Sequence, residues 1–418
     1  MRSDYTETTD PVGKVLIIVE NLPVPADRRV WQEATTLRRA GYGVSVICPK
    51  GKGYDSSYEK IDGIHVYRHS LPRERSGALG YLLEYSAALY WQLVLSMRVR
   101  RRHGFDVLQA CNPPDLIFLI GLFHKLLFGT RFLYDQHDLC PELYRVKFGR
   151  MDWLYRLLVR LERWTFRTAD GSLATNETLK ELAINRGGMA RDRVWTVRSC
   201  PDLSRWKPAP PDHAAKRGFK HLVGYVGIMA EQDGVDLLVK AMVHVKGDLG
   251  RRDIGCLIIG DGPQLARLQA LAQSLEVDDC VEFAGYQSGD ALMSKLAACA
   301  VGVIPDPPNG CNEKLSMNKV FEYMAMGLPF VMFDLMQARK EAGAAGRVVY
   351  EPTPLALARA MVELVDDEPR RQTMGAYGRE KAQREYIWDN EASALLAAYD
   401  TLLADPAARP AEALRPGL

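Results

Sequence analysis

The sequence has no strong charge of either sign: 54 lysines and arginines face 52 aspartates and glutamates in 418 residues, a formal net charge of +2. That removes any global case for nucleic-acid binding and leaves partner surfaces to local clusters of charge. Cysteine is sparse and scattered, at 48, 111, 140, 200, 256, 280, 299 and 311. With no C-x-x-C pair there is no sign of a zinc knuckle or redox centre, and a chain this long needs no disulfide framework. A reduced, cytoplasmic setting is expected. No GxxxxGK[ST] loop is present, which argues against P-loop chemistry, and no G-x-G-x-x-G supports a dinucleotide site. No Asp-x-Asp pair falls at a strand end, so neither a metal site nor a cofactor is expected. The opening MRSDYTETTDPVGK lacks the apolar core of a secretory signal; residues 1–13 are expected to be disordered.

What is present is a repeating alternation of short apolar runs and amphipathic stretches. VLIIV at 15–19 reads as a first buried strand, because parallel strands covered on both faces are β-branched throughout. A helix capped by Asp27 and ended near Gly41 follows, then a strand over 44–48. This β-loop-α-β unit implies a right-handed crossover and a parallel sheet, whose carboxyl edge is where such sheets bind ligands. Asp27, Arg28 and Arg29 stand at that edge, either as functional groups or as a cap and a solvated helix start. A strand ending at Asp135 runs into QHDLCPELY. There His137 suits an acid, a base or a donor to a substrate, with Asp138 and Glu142 to orient partners; a structural histidine capping the next helix is the other reading. After a Pro- and Lys-rich stretch, a second α/β series runs from HLVGYVGI to FVMF.

Two helices mix apolar and basic residues. LGYLLEYSAALYWQLVLSM at 79–97 has the length to cross a bilayer. Crossing would, however, place strands of one sheet on opposite sides. Two readings remain for it and for WLYRLLVRLERWTF at 153–166. One is a helix resting on an anionic membrane surface, with Arg98, Arg100, Arg101 and Arg102 near headgroups; the other is a buried helix with a solvated basic face.

The stretch NGCNEKLSMNKVFEYMAMGLPFV, 309–331, holds the most informative pattern. A polar loop becomes a short helix with Val320, Phe321, Met324 and Ala325 on one face and Lys319 and Glu322 on another, near the helix start. A helix N-terminus favours anions. Lys319 there suits phosphate and Glu322 ribose hydroxyls, unless the two form an ordinary surface ion pair at i, i+3.

In order, YVGIMAEQDGVDLLVKA, LIIGDGPQLARL, VEFAGY and NKVFEYMAMGLPFV resemble the retaining GT-B glycosyltransferases of family 4, of the bacterial surface-polysaccharide type. The resemblance covers roughly residues 14–405. It implies an α/β fold of two Rossmann-like doubly wound domains facing across a cleft, with a C-terminal helix crossing back. The domains are expected at 14–205 (acceptor side) and 221–378 (donor side). A linker over 206–220, the returning helix over 379–405 and a loose tail over 406–418 complete the chain.

The implied activity is metal-independent transfer of a hexosyl group from a UDP- or GDP-sugar to a glycan or lipid-linked saccharide. Alternatives are a nucleotide-sugar epimerase of the same fold and a non-catalytic nucleotide-sugar-binding or scaffold protein. By resemblance, His137, Lys319 and Glu322 are catalytic. Gly227, Lys314, Asn318, Gly285 and Tyr286 line the donor, and Asp27, Arg28, Asp138 and Glu142 the acceptor. The chain departs from the pattern at Lys314, where the first glutamate of E-x7-E would stand, and at Ile228 and Asp233, where the family places phosphate cations. The expected partners are the donor, the acceptor and an anionic membrane surface, with no nucleic acid. The expected location is the cytoplasm, peripheral to the inner face of the cell membrane.

Overall fold

A computed structural model describes residues 11–70, 78–113, 115–203 and 206–404, with the side chains of 78–85 excepted. The expectations for residues 1–10, for the helix end at 405 and for the tail over 406–418 fall outside the described residues. Residues 11–13, expected to be disordered, are instead tied down, with the Val12 N–H on the Gly41 carbonyl at 3.2 Å and the Gly43 N–H on the Gly13 carbonyl at 2.9 Å. The chain divides into two compact units. The first takes in the chain up to Arg145, Gly149–Val197 and the chain from Ala392; the second takes in Val146–Phe148 and Arg198–Glu391.

The first unit is built on an eight-stranded sheet in the order β3-β4-β2-β1-β5-β6-β7-β8. Its strands are β1 (Lys14–Ile18), β2 (Gly43–Pro49), β3 (Tyr58–Ile61), β4 (Ile64–His69), β5 (Val107–Cys111), β6 (Arg131–Gln136), β7 (Gly171–Ala174) and β8 (Val194–Thr196). All neighbours pair in parallel except β3 with β4. Helices α1 (Arg28–Arg39), α2 (Ala78–Arg102), α3 (Phe118–Phe128), α4 (Cys140–Phe148), α5 (Trp153–Thr168) and α6 (Glu177–Asn185) make the connections. The order reverses between β1 and β5, the topological switch point of a doubly wound sheet. Among the described residues no helix is long and apolar enough to cross a membrane.

The second unit carries a six-stranded, all-parallel sheet in the order β11-β10-β9-β12-β13-β14. Its strands are β9 (His221–Val226), β10 (Ile254–Ile259), β11 (Val281–Gly285), β12 (Val301–Ile304), β13 (Phe330–Phe333) and β14 (Gly346–Val349). Covering it are α7 (Val235–Lys246), α8 (Leu265–Ser274), α9 (Gly289–Ala297), α10 (Asn318–Met326), α11 (Met336–Ala342), α12 (Pro354–Asp366) and α13 (Glu368–Glu385). Trp206 and Ala215, in the stretch read as a linker, are buried in this unit's core. The last helix, α14 (Trp388–Ala404), returns the chain to the first unit, where Leu395 and Tyr399 are fully buried.

Candidate functional site

In the first unit the carboxyl ends of β5 and β6 and the start of α1 bring a charged cluster together. Asp27 caps α1 by accepting from the Val30 backbone N–H at 3.1 Å, so its carboxylate serves the helix. Arg28 points outward and is exposed, while Arg29 is buried. Arg29 donates from Nη2 to Asp135 Oδ1 at 2.7 Å, from Nη1 to the Val197 carbonyl at 2.6 Å, and from Nε to His137 Nε2 at 3.0 Å. His137 Nε2 also lies 2.8 Å from Asp135 Oδ2.

One nitrogen cannot both accept from Arg29 and donate to Asp135, so the first contact needs Nε2 without a proton and the second needs Nε2–H, in the neutral Nε2–H tautomer or in the imidazolium. Nδ1 has no partner among the described residues and is the nitrogen open to a substrate. Burial opposes the imidazolium, but Asp135 outweighs it, and the His137 pKa is raised. Burial would lift Asp135, yet Arg29 and His137 hold it below the usual carboxylate range. The backbone around His137 is fixed by Asn112, whose Oδ1 accepts from the N–H groups of His137 (2.8 Å) and Asp138 (3.2 Å). Asp138 is half-buried, and burial raises its pKa. Glu142 is not presented with these groups: it receives Arg186 at 2.7 and 3.2 Å, and Arg186 also binds Glu162 at 2.6 Å. Arg186 thus ties Glu142 to Glu162.

Cys111, Asp135 and His137 offer ligand atoms within 4.8 Å of one another. The Arg29 guanidinium already touches both Asp135 and His137, and burial, then the nearby carboxylates, keep the Cys111 thiol protonated. A thiol and a guanidinium make a poor donor set for a metal ion.

In the second unit, β9 and the loop after β12 meet the start of α10, and the loop after β10 packs against the loop after β9. Gly227 and Gly285 flank Gly260, whose N–H reaches the Gly285 carbonyl at 2.9 Å. Gly260 has φ +142°, and a Cβ there would lie 1.8 Å from the Gly227 carbonyl oxygen; only glycine lets the two loops approach so closely. Helix α10 starts without a side-chain cap; its Val320 N–H reaches the Met317 carbonyl at 3.0 Å, and an uncapped helix start of this kind attracts anions. Asn318, at its first position, is exposed, and Lys314 is half-buried. Tyr286 is 70% exposed and Ile228 64%.

Lys319 and Glu322 are both buried, which overturns the surface ion-pair alternative. The ammonium of Lys319 instead meets Asp306, at 2.9 and 2.7 Å, and lies 4.9 Å from the Tyr225 ring centre. Burial disfavours this charge, but Asp306 and then Asp233 more than restore it. Asp233 is itself pushed up to about 6, chiefly by burial. Asp306 was missed in the sequence; its signal is an aspartate two residues after the buried VGVI strand. A cavity of about 260 Å³ in the same unit is lined by Arg347, Tyr350 and Arg359 and includes none of the candidate residues.

The loop leading to α10 is tied to α11. Ser316 donates to Glu341 Oε1, as does Gln337 Nε2 at 2.7 Å, while Glu341 Oε2 is buried with no hydrogen-bond partner among the described residues. Burial pushes Glu341 up to about 7 from an ordinary value of 4.5. An acid raised in the folded state contributes stability that is full below its unfolded value and is lost as pH rises through about 7. Glu341→Gln should therefore gain on the wild type, in melting temperature, between pH 5 and pH 8. A difference constant with pH would show that Glu341 ionises freely in the fold.

Residues 26–199 match the family described as "Glycosyl transferase 4-like domain", and residues 220–367 match "Glycosyl transferases group 1". The chain is similar to the 2-deoxystreptamine glucosyltransferase of Streptomyces kanamyceticus, 26% identical over 81% of this chain and 89% of that protein. It is also similar to a GDP-mannose-dependent alpha-(1-6)-phosphatidylinositol monomannoside mannosyltransferase of Mycobacterium tuberculosis. There the identity is 31%, over 50% of this chain and 55% of the relative. Among solved structures, sucrose-phosphate synthase from Thermosynechococcus elongatus superposes with a TM-score of 0.77 at 18% identity, covering 94% of this chain and 99% of that one. Anabaena HepE in complex with UDP-glucose does so with a TM-score of 0.68 at 15% identity, covering 93% and 100%. These likenesses establish the GT-B fold.

Proposed function

The chain belongs to the glycosyltransferases that combine a 4-like with a group 1 domain, and from that premise we propose a metal-independent hexosyltransferase. Its donor is a UDP- or GDP-sugar and its acceptor a glycan or lipid-linked saccharide, with retention at the transferred carbon. The observation that carries the donor half is the uncapped start of α10, with Lys319 and Glu322 buried beside it. Backbone N–H groups at a helix start and a close-packed glycine turn suit a diphosphate. A buried carboxylate one turn on suits ribose hydroxyls. An ammonium has three N–H donors; Asp306 takes two contacts from Lys319, which leaves one for a phosphate oxygen. Named relatives that use GDP-mannose, and a solved neighbour holding UDP-glucose, support the donor class.

In this reading the leaving diphosphate gathers charge at α10, and its own oxygen takes the acceptor proton. His137 Nδ1 contacts the reacting sugar or its acceptor. One observation favours a non-catalytic nucleotide-sugar-binding protein instead: Asp233 and Asp306 oppose a single Lys319. Either reading predicts that UDP or GDP raises the melting temperature. A nucleotide at a hundredfold excess over its Kd adds about 2.7 kcal/mol of stability. Glu322→Ala should abolish that gain; an undiminished shift would place the ribose elsewhere.

We further propose that the first unit rests on an anionic membrane. Helix α5 exposes Arg156, Arg160 and Arg167 together with Trp153 and Trp164, and α3 exposes Leu119, Leu126, Leu127 and Phe128. Arg98, Arg101 and Arg102 of α2 are exposed as well. Arg100 leaves this set: its guanidinium packs 4.0 Å from the centre of the Phe105 ring and donates to the Phe105 carbonyl at 3.0 Å. Each basic residue near an anionic surface contributes about 1 kcal/mol. Replacing Arg156, Arg160 and Arg167 by glutamine should weaken binding to phosphatidylserine vesicles roughly 100-fold. Equal binding by the wild type and the triple variant would remove α5 from any membrane contact.

A further inference from the structure

We propose that Glu33 is a positioning residue for His137: the two side chains hold one ionisable proton between them, so the charge of the imidazole is set from the interior of the unit. The inference rests on the reading of His137 as a group that meets the reacting sugar or acceptor.

Glu33 is fully buried on α1, one turn beyond Arg29. Its Oε1 lies 3.2 Å from Arg29 Nε, and its Oε2 accepts from Gln109 Nε2 at 2.7 Å. The same amide nitrogen lies 3.1 Å from Asp135 Oδ2, the oxygen that faces His137. Gln109 is held in this orientation by Tyr399 of α14, whose hydroxyl donates to Gln109 Oε1 at 2.5 Å. With its carbonyl turned to Tyr399, both amide N–H bonds are directed at carboxylates, and the side chain bridges Glu33 to Asp135. The path from Glu33 to His137 is therefore continuous and buried.

The charges enclosed here decide how the cluster titrates. Arg29 is a single permanent cation for two carboxylates, Asp135 and Glu33. The other titratable groups that face them are Asp27 at the start of α1, Cys111 on β5, Asp138 after β6, and Tyr42 and Tyr399. Cys111 and Tyr399 are held neutral by burial, and Tyr42 likewise. An uncompensated charge in such a site costs several kcal/mol. Two proton arrangements leave the Arg29, Asp135, Glu33 and His137 set neutral: a protonated Glu33 with a neutral imidazole, or an ionised Glu33 with an imidazolium. They contain the same number of protons. Consistent with this, Glu33 is pushed up to about 7, by burial first and by Asp135 second, while Arg29 and His137 pull it down. The consequence for transfer is that His137 can gain positive charge as Glu33 loses a proton, with no change in the total charge buried.

The test is the titration of the His137 imidazole, followed by NMR in the ligand-free full chain with labelled histidine. Two coupled steps are expected in the wild type. In Glu33→Gln a single step is expected, with its midpoint lower than the wild-type upper step by about one pH unit or more. The sign follows because glutamine removes the negative charge that favours the imidazolium. Tyr399→Phe deletes one hydroxyl and frees the Gln109 amide to turn its carbonyl toward Glu33, which favours protonated Glu33; a smaller downward move is expected. A His137 curve that is unchanged in Glu33→Gln would overturn the inference. Should that variant not fold, an unchanged curve in Tyr399→Phe would overturn it equally. If the NMR midpoint moves but the pH profile of sugar transfer does not, the coupling stands and the role given to His137 in transfer fails.

Discussion

Arg29→Met is expected to destabilise the first unit by about 3–5 kcal/mol, the usual cost of leaving a buried charge without its partner. The carboxylate of Asp135 is fully buried and receives Arg29 at 2.7 Å. Without the guanidinium, its remaining partners are neutral donors and an imidazole. Methionine fills much of the volume, so the loss reports charge more than packing. Against a typical domain stability of about 5–15 kcal/mol, the change is large enough to read directly from urea melts. Arg28→Met is the control: that side chain is exposed, and a change within about 0.5 kcal/mol is expected. Equal effects of the two substitutions would mean that the Arg29–Asp135 pair is not what fixes the start of α1 to β6.

His137→Ala should leave the fold and nucleotide affinity intact while lowering kcat by about 10²–10⁴, the range for a positioned acid, base or hydrogen-bond donor. The expectation follows from the environment of the ring. Nε2 is engaged by Asp135 and Arg29, the backbone is clamped by Asn112, and Nδ1 alone is open. A side chain held so tightly has lost its rotamer freedom before any substrate arrives, which favours a role in turnover over one in loose binding. A variant with normal kcat and raised KM would move His137 to acceptor binding. Normal values of both would make it structural.

The two doubly wound sheets were legible because buried parallel strands are unbroken apolar runs, as in VLIIV and VGVI, separated by helices at short spacing. The site was only half legible, for a physical reason. Whether a charged residue faces inward depends on a partner distant in sequence. Arg28 and Arg29 look alike in the sequence, and only Asp135, 106 residues away, selects the second. The signal that existed was Arg29 and Glu33 sharing a helix face with Val30, Ala34 and Leu37. Gln109 inside the strand VLQAC is another such signal, since a polar residue in a buried strand needs a partner. Its partner, Tyr399, is 290 residues away. Lys319 was placed at the right helix start, but its ion pair to Asp306 depends on how β12 and α10 meet. Arg100 sits in RVRRR, where every arginine reads as solvated, yet it turns in on Phe105 and Phe128.

The full chain, incubated with a panel of UDP- and GDP-sugars alone and with a membrane glycolipid extract as acceptor, gives the most direct measurement: release of nucleoside diphosphate. Release from at least one donor is predicted, increased by the extract and lost in both His137→Ala and Glu322→Ala. Nucleotide binding with no release from any donor would contradict transfer and leave a nucleotide-sugar-binding protein.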